Sequence, residues 1–174
     1  MYKNKERKLN VLLDKLLAYA TEKDHLGANT VDTQIFHFFR ENKGILSTDM
    51  QKKMLQTLPV SHSYSLLKAL QSKEYQHLGC EIVKLLDLSD PFFSCDVIET
   101  LYKMGTYQFV DEIRPFTTLS IDDKMPDKEI SYRTGYELYS KFPPDNNSSF
   151  KVINDEANKY IKRAGKLKDK HTKL

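Results

Sequence analysis

Apolar side chains along this chain recur every three or four residues, and nowhere do they alternate with period two for long enough to build a strand. Leu9, Leu12, Leu13, Leu16, Leu17 and Ala20 make the first stripe, and Val31, Ile35, Phe38 and Phe39 the second. Met50, Met54, Leu55 and Leu58 follow, then Leu66, Leu67 and Leu70, then Leu78, Ile82, Leu85 and Leu86. Val97, Ile98, Leu101 and Tyr102 come next, and Phe109, Val110 and Ile113 after them. Because side chains three and four apart share one face of a helix, such a chain is expected to be all-α, with about seven to nine helices.

Local punctuation sets the expected boundaries. Asn29 or Thr30 is read as the N-cap of the second helix and Gly44 as its end, and Ser47 as the cap of the third. A side-chain oxygen at that position accepts one of the helix's unpaired N–H groups. Pro59 is expected to block the third helix, since it lacks an N–H and crowds the preceding turn. Ser61 or Ser63 opens the next helix, with a tight connection near Lys73. Asp90 followed by Pro91 is a strong start signal, and Gly105 supplies a left-handed stop. The second helix of the pair that Asp90 opens stops near Pro115.

A self-alignment at an offset of 31 residues superimposes Ile35, Leu66 and Val97, then Phe39, Leu70 and Leu101, and also Met54, Leu85 and Phe116. The expected architecture is thus either stacked antiparallel hairpins, a short α-solenoid over residues 30–119, or an irregular helical bundle. One helical domain is expected over residues 1–142, a linker at 143–149 ("PPDNNSS"), and a basic amphipathic helix or tail at 150–174. The stretch "EIVKLLDLSDPFFSCDVIETLYKMGTYQFVDEI" resembles helical-repeat domains of the HEAT, TPR and PPR kind. It is also similar to the helical regions that accompany RNase D-type exonucleases. The resemblance spans residues 61–119 and implies a repeat fold and a binding surface; it carries no functional residue with it.

Charge is unevenly placed. Residues 1–8 sum to +3 and residues 159–174 to +6, so residues 9–158 sum to −6 within a formal total of +3. Of the 27 basic residues 22 are lysine, whereas forked recognition of phosphate favours arginine. An acidic body with basic ends argues against a nucleic-acid-binding body, while leaving the ends available. No apolar run is long enough to span a bilayer, and charges interrupt the first 20 residues where a secretory signal needs an apolar core, so an intracellular location is expected. Cys80 and Cys95 then read as reduced thiols.

Signs of chemistry are few. His77 and Cys80 stand three apart as half of a zinc site, with His62 and Cys95 as distant completions, and ordinary side chains are the preferred reading. Ser65 and Lys68 form an S-x-x-K string without the companion motifs of the enzymes that use it. Asp122, Asp123, Asp127 and Glu129 cluster without the spacing of a calcium loop and read as an acidic helix start. Tyr132, Tyr136 and Tyr139 share a stripe expected to pack over the body. No catalytic residue, metal ligand or cofactor is assigned.

The expected function is a non-catalytic intracellular scaffold or adaptor that binds a protein. The alternative is an accessory RNA-binding domain whose contacts come from the basic termini. The residues expected to meet a partner are Lys159, Lys162, Arg163, Lys166, Lys168 and Lys170 on the last helix, with Arg40 and Arg114. The same helix carries Ile153, Ala157, Tyr160, Ala164 and Leu167 as an apolar stripe, expected to dock on the body.

Overall fold

A computed structural model describes residues 2–42, 44–119 and 146–171, with side chains described for 5–42, 44–119 and 150–167. The protein is all-helical, and no strand occurs among the described residues. Among the described residues eight α-helices run in the order α1 (Tyr2–Thr21), α2 (His25–Glu41), α3 (Thr48–Ser61), α4 (Tyr64–Ala69), α5 (Gly79–Ile82), α6 (Pro91–Met104), α7 (Val110–Ile113) and α8 (Asn146–His171). Short 3₁₀ turns at Lys73–Leu78 and Val83–Leu85 flank α5, and another at Arg114–Thr117 extends α7. The chain divides into two compact units, Met1–Leu70 and Gln71–Leu174. The acidic cluster at 122–129, the tyrosine stripe at 132–139 and the start of the expected linker lie outside the described residues.

In the first unit α1 packs on both α2 and α3, and α4 packs on α2. Leu9, Leu13, Leu16, Ile35, Met54, Leu58, Leu66, Leu67 and Leu70 are fully or almost fully removed from solvent. Burying side chains of this size contributes about 1.5–3 kcal/mol each, which is why the leucine stripes decide the packing. Polar bonds then fix the register. The Glu6 carboxylate accepts both the N–H (2.7 Å) and the hydroxyl (2.9 Å) of Ser47, the residue that caps α3. Lys53 of α3 donates to Asp14 (2.5 Å) and Asn10 (2.6 Å) of α1.

Three boundaries differ from expectation, one of them at α8, which begins at Asn146 inside the segment expected as a linker. Helix α2 begins at His25, four to five residues before Asn29 and Thr30, because Asp24 accepts the N–H of Gly27 at 3.0 Å and so supplies the cap. The sharp turn before it is made by Lys23 at φ 59°. Pro59 lies inside the last turn of α3, which runs on to Ser61 and closes through left-handed His62, whose N–H meets the Leu58 carbonyl at 2.9 Å.

The second unit is built around α6, on which α8 and the Lys73–Leu85 segment pack. Phe93, Cys95, Val97, Ile98, Leu101 and Met104 are buried, together with Ser94, Asp96 and Thr100, so α6 is enclosed on nearly all sides. Asp90 caps it as expected, accepting the Phe93 N–H at 3.0 Å, with Pro91 at the first position. Gly105 ends it at φ 80°. The connection after it folds back because Gly79 has no side chain: a Cβ there would stand 3.0 Å from Thr106 and 3.2 Å from Phe109.

Candidate functional site

Helix α8 carries most of the residues expected to meet a partner, and its inner face explains how they are held. Phe150, Ile153, Ala157, Tyr160 and Ala164 recur at spacings of three and four and are all buried. They face α6, α7 and the Arg114–Thr117 turn. The alanines let the helix lie close, and the larger residues fill the space between them.

Two polar groups on that face lock it. Asn154 donates through Nδ2 to the Leu119 carbonyl and accepts the Leu119 N–H through Oδ1, each at 3.0 Å, a two-way amide clamp. The fully buried Tyr160 donates its hydroxyl to the Thr106 carbonyl at 2.5 Å and accepts the Phe109 N–H at 3.3 Å. Burial pushes this phenol from its ordinary 10.0 up to about 12; the Phe109 N–H opposes the shift, and the negative charge of Glu112 and the neighbouring Tyr107 add to it. Tyr107 tilts against Tyr160 at 5.5 Å and meets Tyr102 edge to face at 5.8 Å.

On the outer face the expected residues separate by circumstance. The Lys159 ammonium lies 4.4 Å from the Tyr102 ring centroid and 3.3 Å from Glu156, so it fastens α8 to α6 as much as it faces water. Lys162, Arg163 and Lys166 are exposed, and among the described residues no acidic side chain pairs with them. Lys162 and Lys166 stand one turn apart, about 6 Å along the axis, with Arg163 beside them. Lys168 and Lys170 belong to the same helix, and their side chains lie outside the described residues. Arg114 is exposed on the second unit and faces Asp111 at 3.6 Å. Arg40 is exposed in the last turn of α2 in the first unit, where a cation suits the helix end. Lys162, Arg163 and Lys166 thus form the outward cluster.

Gly165 lies within it. Its backbone is helical, and a Cβ added there would meet nothing within 4 Å. A glycine in a helix interior costs about 1 kcal/mol relative to alanine, and neither packing nor backbone conformation requires one here.

The other candidate groups are occupied structurally. The buried Ser65 hydroxyl donates to Asp32 at 2.7 Å, whereas exposed Lys68 donates to the Tyr64 hydroxyl at 2.9 Å, so the two ends of the S-x-x-K string serve different partners. His77 and Cys80 are both exposed while Cys95 is buried. Among the described residues no three or more His, Cys, Asp and Glu side chains gather as for a metal ion, and no helix is long and apolar enough to cross a membrane. Comparison with protein-family models, with curated proteins and with solved structures found no match to the chain.

Proposed function

We propose that this protein is a non-catalytic, intracellular helical adaptor that holds a protein partner, with the outward cationic face of α8 as its docking surface. The observation that carries this reading is the division between the two faces of that helix. Its apolar stripe from Phe150 to Ala164 is spent inside the second unit and is not offered to a partner's groove or a lipid surface. What it offers is charge, on a helix clamped by Asn154 and Tyr160 and therefore held in place before any partner arrives.

The test is capture from a nuclease-treated lysate by the wild-type chain and by the triple variant Lys162→Glu, Arg163→Glu, Lys166→Glu. One dominant protein partner is expected on the wild type and its loss on the variant. Equal recovery on both would sink the reading.

A second reading, an accessory RNA-binding domain, is favoured by the same cluster together with the basic first unit, where 11 Lys and Arg stand against seven Asp and Glu. It predicts affinity for single-stranded RNA that falls steeply with salt and disappears when residues 159–174 are removed. RNA binding indifferent to that truncation would count against it.

A further inference from the structure

We infer that His77 and Cys80 are one half of a zinc site that a second copy of this chain completes, with one imidazole and one thiolate from each copy around a single ion. The site is independent of the adaptor and RNA readings and uses none of their residues. The backbone lays out the half-site. Tyr75, Leu78, Gly79 and Ile82, at spacings of three, one and three, are buried and form the inner face of the segment that packs on α6. His77, Cys80, Glu81 and Lys84 repeat that spacing two residues later, and all four are exposed. Two residues turn a helix by about 200°, so these side chains occupy the opposite, outward face. Residues three apart are neighbours there, with Cβ atoms about 5–6 Å apart. An imidazole nitrogen and a sulfur on such a pair can take two corners of one zinc tetrahedron. Helix bundles that bind metal in their cores place ligand pairs at this same spacing.

The mount is fixed before any ion arrives. Between the two ligands lies Gly79, where a Cβ would stand 3.0 Å from Thr106 and 3.2 Å from Phe109, so this backbone sits directly on the connection that leaves α6. A pair held this way loses little freedom on binding.

What one copy lacks decides the partner. Zinc held by histidine and cysteine takes four ligands, and among the described residues no third His, Cys, Asp or Glu gathers with these two. Cys95 is fully buried and does not reach the outer face. The Glu81 carboxylate on that face is held by Lys84 at 2.8 Å. An outward pair is self-complementary about a two-fold axis, so the same two residues of a second copy fill the remaining corners. Ligand type selects the ion, because thiolate and imidazole suit zinc whereas magnesium and calcium take oxygen. Each Cys80 thiol gives its proton to the buffer as its Zn–S bond forms.

The experiment titrates the full chain with zinc chloride under a phosphine reductant, which keeps Cys80 from forming a disulfide, and follows mass by light scattering after size exclusion. A doubling of mass is expected, complete at one zinc per two chains and reversed by EDTA. Cobalt(II) in place of zinc is expected to give thiolate-to-cobalt charge-transfer absorption that saturates at the same ratio. Cys80→Ser and His77→Asn alter exposed side chains and are expected to keep the wild-type circular dichroism melt while each loses the doubling. Saturation at one zinc per chain with unchanged mass would overturn the second copy's part. Doubling that persists in either variant would place the ion elsewhere and overturn the assignment of these ligands. Doubling without zinc, or resistant to EDTA, would overturn the role of the metal.

Discussion

The hydroxyl of Tyr160 on α8 donates to the main-chain carbonyl of Thr106 at 2.5 Å, across 54 residues of sequence, and the same oxygen accepts the Phe109 N–H. One phenol thus satisfies two backbone groups in the turn that leaves α6, both inside the core. Tyr160→Phe keeps the ring and deletes the oxygen, stranding a buried carbonyl and a buried N–H. Leaving such groups unpaired costs about 1–3 kcal/mol, so the variant is expected to lose about that much stability in urea unfolding. A loss below about 0.5 kcal/mol would mean that water replaces the phenol there.

Burial of the same phenol also makes stability depend on alkaline pH. The folded value of the phenol, about 12, lies above its ordinary 10.0. The native state therefore prefers the neutral form, and the unfolded chain gives up this proton first as pH rises. The contribution is complete below pH 10 and is lost between pH 10 and about 12. It amounts to about 2–3 kcal/mol, the size of a two-unit shift. Unfolding curves for wild type and Tyr160→Phe, measured from pH 8 to pH 11.5, should converge as pH rises through this window. A constant gap across it would show that Tyr160 does not titrate differently in the two states.

Asn154 clamps the other end of the same interface through two bonds of 3.0 Å to Leu119. Asn154→Ala removes both and should cost about 1–2 kcal/mol. Asn154→Asp is the sharper variant, because a carboxylate still accepts the Leu119 N–H but cannot donate to the carbonyl. Its two oxygens face a carbonyl oxygen on one side. It is expected to be at least as destabilising as alanine near neutral pH, and to recover toward wild type below about pH 4, where the acid regains a donor. Circular dichroism melts at the two pH values, each compared with wild type, separate the cases.

How much of this was legible in the sequence depends on how far apart the cause and the effect lie. Asp90 and Pro91 mark the start of α6 because cap and first residue are neighbours, and the bond to Phe93 spans one turn. The stripe from Ile153 to Ala164 was readable for the same reason, since burial follows spacing. The start of α2 was misplaced because Asn29 and Thr30 are cap residues by type, whereas the helix has begun four to five residues earlier, after a turn made by a lysine in a conformation usually left to glycine. The roles of Tyr160 and Asn154 were invisible: their partners lie 35 to 54 residues away, and no local pattern specifies which carbonyl a side chain will meet. Their signal was only that two hydrogen-bonding side chains, one in the stripe and one beside it, must find partners when buried. The cationic cluster was visible as composition, but the anchoring of Lys159 by Tyr102 and Glu156 and the exposure of Lys162, Arg163 and Lys166 are tertiary facts.

In the first unit Asp32 of α2 accepts hydroxyls from both Ser63 and Ser65 at the start of α4, and Ser63 in turn accepts the Leu66 N–H at 3.1 Å. A six-residue helix cannot hold itself in water, so its position depends on this chain of bonds and on the leucines beneath. Asp32→Ala strands two buried hydroxyls at once and is expected to cost about 2–3 kcal/mol, more than Ser63→Ala at about 1–2 kcal/mol. In the double variant the losses should fall short of their sum, since both break the same Asp32 to Ser63 bond. Additive losses in urea unfolding would show that the two side chains act separately.

Gly27 and Gly165 are both helical glycines, and the same replacement should act on them in opposite directions. At Gly165 a methyl group meets open space and brings only the gain of a better helix former. At Gly27 the new Cβ would stand 2.6 Å from the Asp24 carboxylate and 2.7 to 2.8 Å from the Tyr19 ring. Asp24 is the cap of α2 and bonds the Gly27 N–H itself, so moving it breaks the cap, and the nearer ring atoms of Tyr19 are too close to their own backbone to swing aside freely. The helix gain of about 1 kcal/mol is therefore outweighed by a lost cap of about 1 kcal/mol together with overpacking of about 1–3 kcal/mol. Gly27→Ala is expected to destabilise by about 1–3 kcal/mol in urea unfolding. Adding Asp24→Ala separates the causes: if the clash acts through the carboxylate, the second change should cost much less in the Gly27→Ala background than in wild type, and an equal cost in both would place the strain on Tyr19 alone.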